Sequence, residues 1–206
     1  MDCMCNNEKK VTILMATYNG EKFLPDQINS ILSQRYKNWK LIISDDGSVD
    51  ATNEIIDWYL SQYPSKISRY ESGEHFGNAQ NHFMHLINMF KDTGYMMLSD
   101  QDDVWYSNKI TDTMDLMIKL ERNDSIPVLV HAGHDSTDSQ LNIKKSFVLH
   151  DENRRYEFGE MLVNGFFQGC TILMNRSAIH LVIDHSPLTL QISHDCWIGM
   201  LIYLGG

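Results

Sequence analysis

Cysteine is scarce in this chain, with four in 206 residues, and the positions of Cys3, Cys5, Cys170 and Cys196 match neither a zinc-site spacing nor a disulfide framework. Reduced thiols are the reading that follows, which points to the cytoplasm. Basic charge is also short: 17 Lys and Arg stand against 27 Asp and Glu, a formal net charge of -10. A nucleic-acid partner would need clustered cations, so that class is excluded. No apolar run approaches the ~18 residues of a membrane-spanning helix, and the opening "MDCMCNNEKK" lacks the apolar core of a signal peptide. Membrane contact is thereby reduced to peripheral association at the inner face. Linkers, repeats and low-complexity tracts are absent too, so the sequence reads as a flexible tail over residues 1–10 and one domain over 11–206. The closing "LIYLGG" follows an apolar helical stretch, which predicts a longer natural protein.

What is present alternates regularly. "VTILMA" (11–16), "WKLIIS" (39–44), "ISRYES" and "YMMLS" are short apolar or β-branched runs that read as strands. Between them lie helical patterns: a stripe of Phe23, Leu24, Gln27, Ile28, Ile31 and Leu32; "ATNEIIDWYLSQY" behind an N-capping Asp50; and "GNAQNHFMHLINMF". Strands that alternate with helices imply a doubly wound, mostly parallel α/β sheet whose ligands bind outside the carboxyl ends of the strands. "TYNG", "DDGS" and "SDQDD" each follow a strand directly, so all three should meet at one edge. Beyond Trp105 the pattern continues with a helix ("KITDTMDLMIKLE"), a strand ("PVLVHA"), a turn-rich stretch ("GHDSTDSQ"), a less regular segment, a strand ("CTILMN", 170–175) and a helix ("RSAIHLVID").

The crowding of Asp100, Asp102 and Asp103 in "LSDQDDVW" asks for a positive partner, because like charges at that spacing repel. A calcium loop of the EF-hand type needs Gly at its sixth position and Glu at its twelfth. Counting from Asp100, the chain has neither. A divalent ion held by one or two carboxylates and completed by diphosphate oxygens and water fits better, and Mg²⁺ or Mn²⁺ favours that arrangement.

"VTILMATYNGEKFLPDQINSILSQRYKNWKLIISDDGSVDAT" closely resembles the nucleotide-binding half of the family 2 glycosyltransferases of GT-A fold, and "LSDQDDVW" resembles their D-x-D element. "GFFQGCTILMNR" and "SHDCWIGML" are similar to acceptor-side segments of the same family, particularly its rhamnosyltransferase-like members. The resemblance covers roughly residues 10–204 and implies a nucleotide-sugar half over 11–105 and an acceptor half over 106–206. Thr17, Tyr18 and Asn19 would border the nucleobase and ribose, with Glu21 near the same pocket. By the same resemblance Asp45 would accept the base's imide N–H, Asp46 would support its turn, and Asp100 and Gln101 would lie on the sugar-nucleotide side. The metal would be held by Asp102 with Asp100, and His194 is open between ligating it, holding the diphosphate and packing.

Asp195 is the resemblance's general base, beside the acceptor hydroxyl; the competing reading is a helix N-cap, with Ser193 or Asp195 covering free amides. The implied reaction is an inverting transfer of one sugar, rhamnose among the options, from a UDP- or dTDP-sugar to a saccharide or lipid-linked saccharide, in surface-polysaccharide biosynthesis. A nucleotidyltransferase or a non-catalytic nucleotide binder is the competing class. One departure matters: "EHFGNAQNHF" lacks the Arg that many relatives carry there, so the metal or Lys109 would have to carry the leaving-group charge.

Overall fold

The computed structural model describes residues 9–123, 125–147, 167–186 and 193–205. Cys3, Cys5 and the first residues of the acceptor-side segment "GFFQGCTILMNR" lie outside them. Within the predicted tail, Lys9 is anchored: its ammonium donates to Glu121 at 2.9 Å.

Four strands run parallel. They are β1 (Val11–Thr17), β2 (Trp39–Asp45), β3 (Ile67–Arg69) and β4 (Tyr95–Ser99), paired in the spatial order β3-β2-β1-β4. Helices α1 (Leu24–Leu32), α2 (Thr52–Gln62) and α3 (Ala79–Met89) make the crossovers, and α4 (Lys109–Leu120) follows β4. Two short strands extend the sheet: β8 (Ile172–Asn175) lies antiparallel to β4, and β5 (Leu129–His131), antiparallel to β8, returns to the direction of the first four. Strand β8 is preceded by a 3₁₀ turn over Gly169–Thr171, so "CTILMN" becomes strand only from its third residue. Helix α5 (Arg176–Asp184) begins directly after β8, and α6 (His194–Gly205) packs on it.

The strands are apolar on both faces because both faces are covered. Val11, Ile13 and Met15 of β1 join the core beneath α1, α2 and α4; Leu14 points the other way, into the core shared with α3, α5 and α6. Three expectations shift. The third strand is only three residues long, Asp50 caps α2 from one residue further out than a regular N-cap, and the turn-rich stretch after β5 forms a hairpin, β6 (His134–Thr137) with β7 (Ile143–Phe147).

Strand order reverses between β1 and β4. The chain walks from β1 outward to β3, then returns to lay β4 on the opposite side of β1. Crossovers leave the sheet in opposite directions at that point, which opens a crevice at the carboxyl ends of β1 and β4.

Candidate active site

A cavity of about 380 Å³ occupies that crevice, and Ala16, Thr17, Tyr18, Asp46, His82, Asp100, Gln101 and Asp102 are among the residues that line it. The three polar clusters do meet at one edge. Their loops are also bonded to each other. Asn19, in the left-handed region at φ 48°, donates its amide to Ser48 Oγ at 2.8 Å and accepts from the Val49 amide at 2.9 Å. Glu21 Oε2 accepts from the Ala51 amide at 2.9 Å, which places a carboxylate at the positive end of α2. Asn19 and Glu21 thus join the β1 loop to the β2 loop and are not among the cavity-lining residues.

Asp45 and Asp46 divide the work of the second cluster. Asp45 Oδ1 accepts from Thr17 Oγ1 at 2.8 Å and Ser48 Oγ at 2.5 Å, while Oδ2 accepts from the Gly47 and Ser48 amides at 3.1 and 2.8 Å and from Asn53 at 3.3 Å. Gly47 makes this turn at φ 84°, a conformation that costs glycine little. Burial raises the Asp45 carboxyl, and the bonds from Ser48, Thr17 and Asn53 outweigh it and hold the group below its ordinary range. An imide N–H that reached Asp45 would have to displace one of these donors. Asp46 faces the cavity, but its oxygens accept from the Phe76 and Gly77 amides at 2.6 and 2.9 Å and stand 3.1 Å from His75 Nδ1. It latches the loop after β3, which has no Arg but carries Phe76 stacked on His82 at 4.6 Å.

Asp45→Asn is expected to cost about 1.5–3 kcal/mol, since an amide presents two hydrogens to a pocket built of donors. Thermal melting and nucleotide affinity should fall together. A variant with an unchanged melting temperature would show that the turn does not depend on the charge.

The acidic loop is held from below by Gln27, which is fully buried. With its amide oriented so that every atom meets a complementary partner, Gln27 accepts from Ser99 Oγ at 2.6 Å and the Trp105 indole at 3.1 Å, and donates to the Asp103 carbonyl at 2.6 Å. Sequence reading placed Gln27 on a helix stripe and gave it no such role. Trp105 is the loop's apolar end, buried to 4% exposure, with the Lys109 ammonium 3.8 Å from its ring centroid. Lys109 also donates to the Cys170 carbonyl. Its ammonium is committed there, and burial lowers it to about 8 against the pull of Asp103 and Asp100.

Ligand atoms of Asp100, Asp103 and Cys170 lie within 4.8 Å of one another, the only such group among the described residues. Asp102 and His194 are not in it. Asp102 is exposed on the cavity wall, and His194 is stacked on Phe83 at 5.1 Å with its buried Nε2 lacking a partner among the described residues. Burial, then the charges of Asp103, Asp102 and Asp195, raise Asp100 to about 6. Burial also pushes the Cys170 thiol far above its ordinary value, and its soft sulfur suits a hard divalent cation less well than carboxylate oxygen does. The effective donors are carboxylate oxygens, which suit a hard divalent cation, and their repulsion shows what such an ion would relieve. Sequence reading placed Asp103 in the crowded loop but gave it no ligand role; its place beside Asp100 comes from the fold of the loop and not from spacing. Asp195 is the second residue of α6; its Oδ1 accepts from the Cys196 amide at 2.8 Å, and its charge reaches Asp100.

Comparison with known proteins matches residues 12–182 to the model of "Glycosyl transferase family 2". The chain belongs to that family. Its parallel sheet with flanking helices is the family's GT-A fold, and it superposes on a crystal structure of S. aureus TarS in complex with UDP-GlcNAc with a TM-score of 0.63, 18% identity, and coverage of 95% of this chain and 54% of that one. The mannosyltransferase PcManGT from Pyrobaculum calidifontis, solved with GDP-Man and Mn²⁺, gives a TM-score of 0.63 at 14% identity over 97% of this chain and 54% of its own. Among curated sequences, the dTDP-rhamnosyl transferase RfbG of Shigella flexneri is 39% identical over 106 residues, 50% of this chain. That stretch is 37% of RfbG's length, so this family 2 chain spans well under half of that relative. Among the described residues no helix is long and apolar enough to cross a membrane.

Proposed function

We propose that the protein transfers a sugar from a nucleoside-diphosphate donor to an acceptor hydroxyl with inversion, in the assembly of a surface polysaccharide. The observation that carries this is the position of Asp100 and Asp102 at the β1/β4 switch point, where they line one cavity with Thr17, Tyr18 and Asp46, with Asp103 drawn up beside Asp100. A donor would lie with its nucleoside by Tyr18, which is 52% exposed and free to stack on a base. The diphosphate would point toward the acidic loop.

Asp100, Asp103 and Asp102 would hold Mg²⁺ or Mn²⁺, whose chemistry is neutralisation of the diphosphate's charge. Lys109, with its ammonium on the Cys170 carbonyl and drawn by Asp103 and Asp100, would balance part of the loop's charge from below. In the reaction the acceptor oxygen bonds to the anomeric carbon as the bond to the diphosphate breaks, and the hydroxyl proton passes to Asp195. The nucleoside diphosphate leaves from the face opposite the attack. RfbG's name makes dTDP-rhamnose the first donor to examine, with UDP-sugars next because TarS was solved with UDP-GlcNAc. A saccharide or lipid-linked saccharide is the acceptor class, met at the inner membrane face by peripheral contact.

Calorimetric titration of UDP and dTDP, each with Mg²⁺, with Mn²⁺ and with EDTA, tests the donor site. Binding should be tight with metal and lost with EDTA, because neither the carboxylates nor the diphosphate is easily buried without a counter-charge. Equal affinity in EDTA would remove the metal. Release of nucleoside diphosphate from a panel of donors then identifies the sugar.

A further inference from the structure

Gln101 stands in the middle of the acidic loop, yet its side chain is spent on a different loop. Its Oε1 accepts from the Tyr18 amide at 2.9 Å, and its Nε2 donates to the Tyr18 carbonyl at 2.9 Å. Both peptide groups that flank the exposed tyrosine are therefore fixed by one amide. Gly20 completes the fit, for a Cβ on it would overlap Gln101 Oε1 and Cδ. Its φ is not in the left-handed region, so close approach rather than backbone freedom explains the glycine. Beneath, Gln27 ties the same acidic loop to α1 through the Asp103 carbonyl and the Trp105 indole. The carboxylates and Tyr18 thus sit on two ends of one hydrogen-bonded unit.

We infer that Gln101 is a positioning residue that couples the acidic loop to Tyr18, so that a divalent cation on the carboxylates strengthens binding of the nucleoside, a part of the donor it does not touch. The inference rests on the reading of the cavity as a nucleoside-diphosphate site. Its physical basis is ordering. Without a cation the crowded carboxylates repel and loosen the loop, and Tyr18 moves with it through Gln101. With a cation the loop is fixed, and the nucleoside meets a tyrosine already in place.

Uridine is the discriminating probe because it has no phosphate for the cation to hold. Its affinity is measured on the 206-residue chain by NMR titration, in Mg²⁺ and in EDTA. Wild type should bind uridine about fivefold or more tightly in Mg²⁺, the low end of ordinary site-to-site coupling. Gln101→Met keeps the side chain's length and loses both hydrogen bonds. It should bind uridine equally in Mg²⁺ and EDTA while still binding UDP with Mg²⁺, a pattern that a general loss of structure does not give. Gly20→Ala displaces the amide without removing a polar group and should show the same loss of coupling, and it carries the test if Gln101→Met fails to give a cooperative melt. Wild type that gains nothing from Mg²⁺ for uridine but binds UDP with Mg²⁺ overturns the coupling alone, as do variants that keep the gain. Wild type that binds neither uridine nor UDP under any condition overturns the cavity's reading and the coupling with it.

Discussion

Asp195→Asn is expected to lower sugar transfer by 10²- to 10⁴-fold, about 3–5 kcal/mol in the barrier, while donor and metal binding persist. The asparagine keeps the size of the side chain and, through its carbonyl, the contact with the Cys196 amide, so α6 should start as before. It cannot accept the acceptor's proton. The donor's contacts lie on other elements, at the ends of β1, β2 and β4. Calorimetry with Mn²⁺ separates loss of the base from a weaker hold on the metal. The measurements are initial rates of transfer, donor hydrolysis by water, and calorimetry with UDP and Mn²⁺. Donor hydrolysis should fall less than transfer, since it needs no acceptor placement. Transfer at near wild-type rate would make Asp195 a helix-start residue only, and loss of UDP binding would put α6 in the donor site.

Asp100→Asn should produce the second large effect, in opposite directions for stability and binding. Asp100 in the folded protein is raised to about 6, above the value near 4 of an unfolded chain. A carboxyl shifted upward holds its proton better when folded, so its ionisation subtracts stability as pH rises from about 4 to about 6, and the whole penalty is present above that. The asparagine variant avoids it. In EDTA at pH 8 the variant should be more stable than wild type by on the order of 2–3 kcal/mol, and the difference should shrink to nothing near pH 4. Adding Mg²⁺ should stabilise wild type and leave the variant unmoved. Melting curves across pH, with EDTA and with MgCl₂, read both effects. Parallel pH profiles for the two proteins would mean that Asp100 is not the strained group.

The parallel half of this fold is legible because each of its longer strands is apolar on both faces and ends in a polar turn. Convergence of the three clusters follows from that alternation alone, and the structure bears it out. Hairpin β6–β7 escapes for the converse reason: every residue of β7 is exposed, so no burial pattern marks it. Within the site, sequence reading finds the acidic loop but not which of its carboxylates are drawn together, because Asp102 and Asp103 differ only in the direction the loop gives them. The same limit applies to Asp45 and Asp46, whose partners include Thr17 and the loop at His75, both distant in the chain. Partners of that kind become visible only when the strands are aligned.

The reversed direction of β8 has a consequence for how relatives of this protein can diverge. A parallel strand offers the edge of the sheet the loop that follows it, whereas an antiparallel strand offers the loop that precedes it. The residues proposed for the donor are therefore written downstream of β1, β2 and β4, in short loops that bond to one another. What arrives at the edge beside β4 is written upstream of Ile172, where Gly169–Thr171 make a turn and the Cys170 carbonyl accepts from Lys109. On the proposed reading, changes just upstream of β8 alter what meets the acceptor while the loops after β1, β2 and β4 are inherited intact.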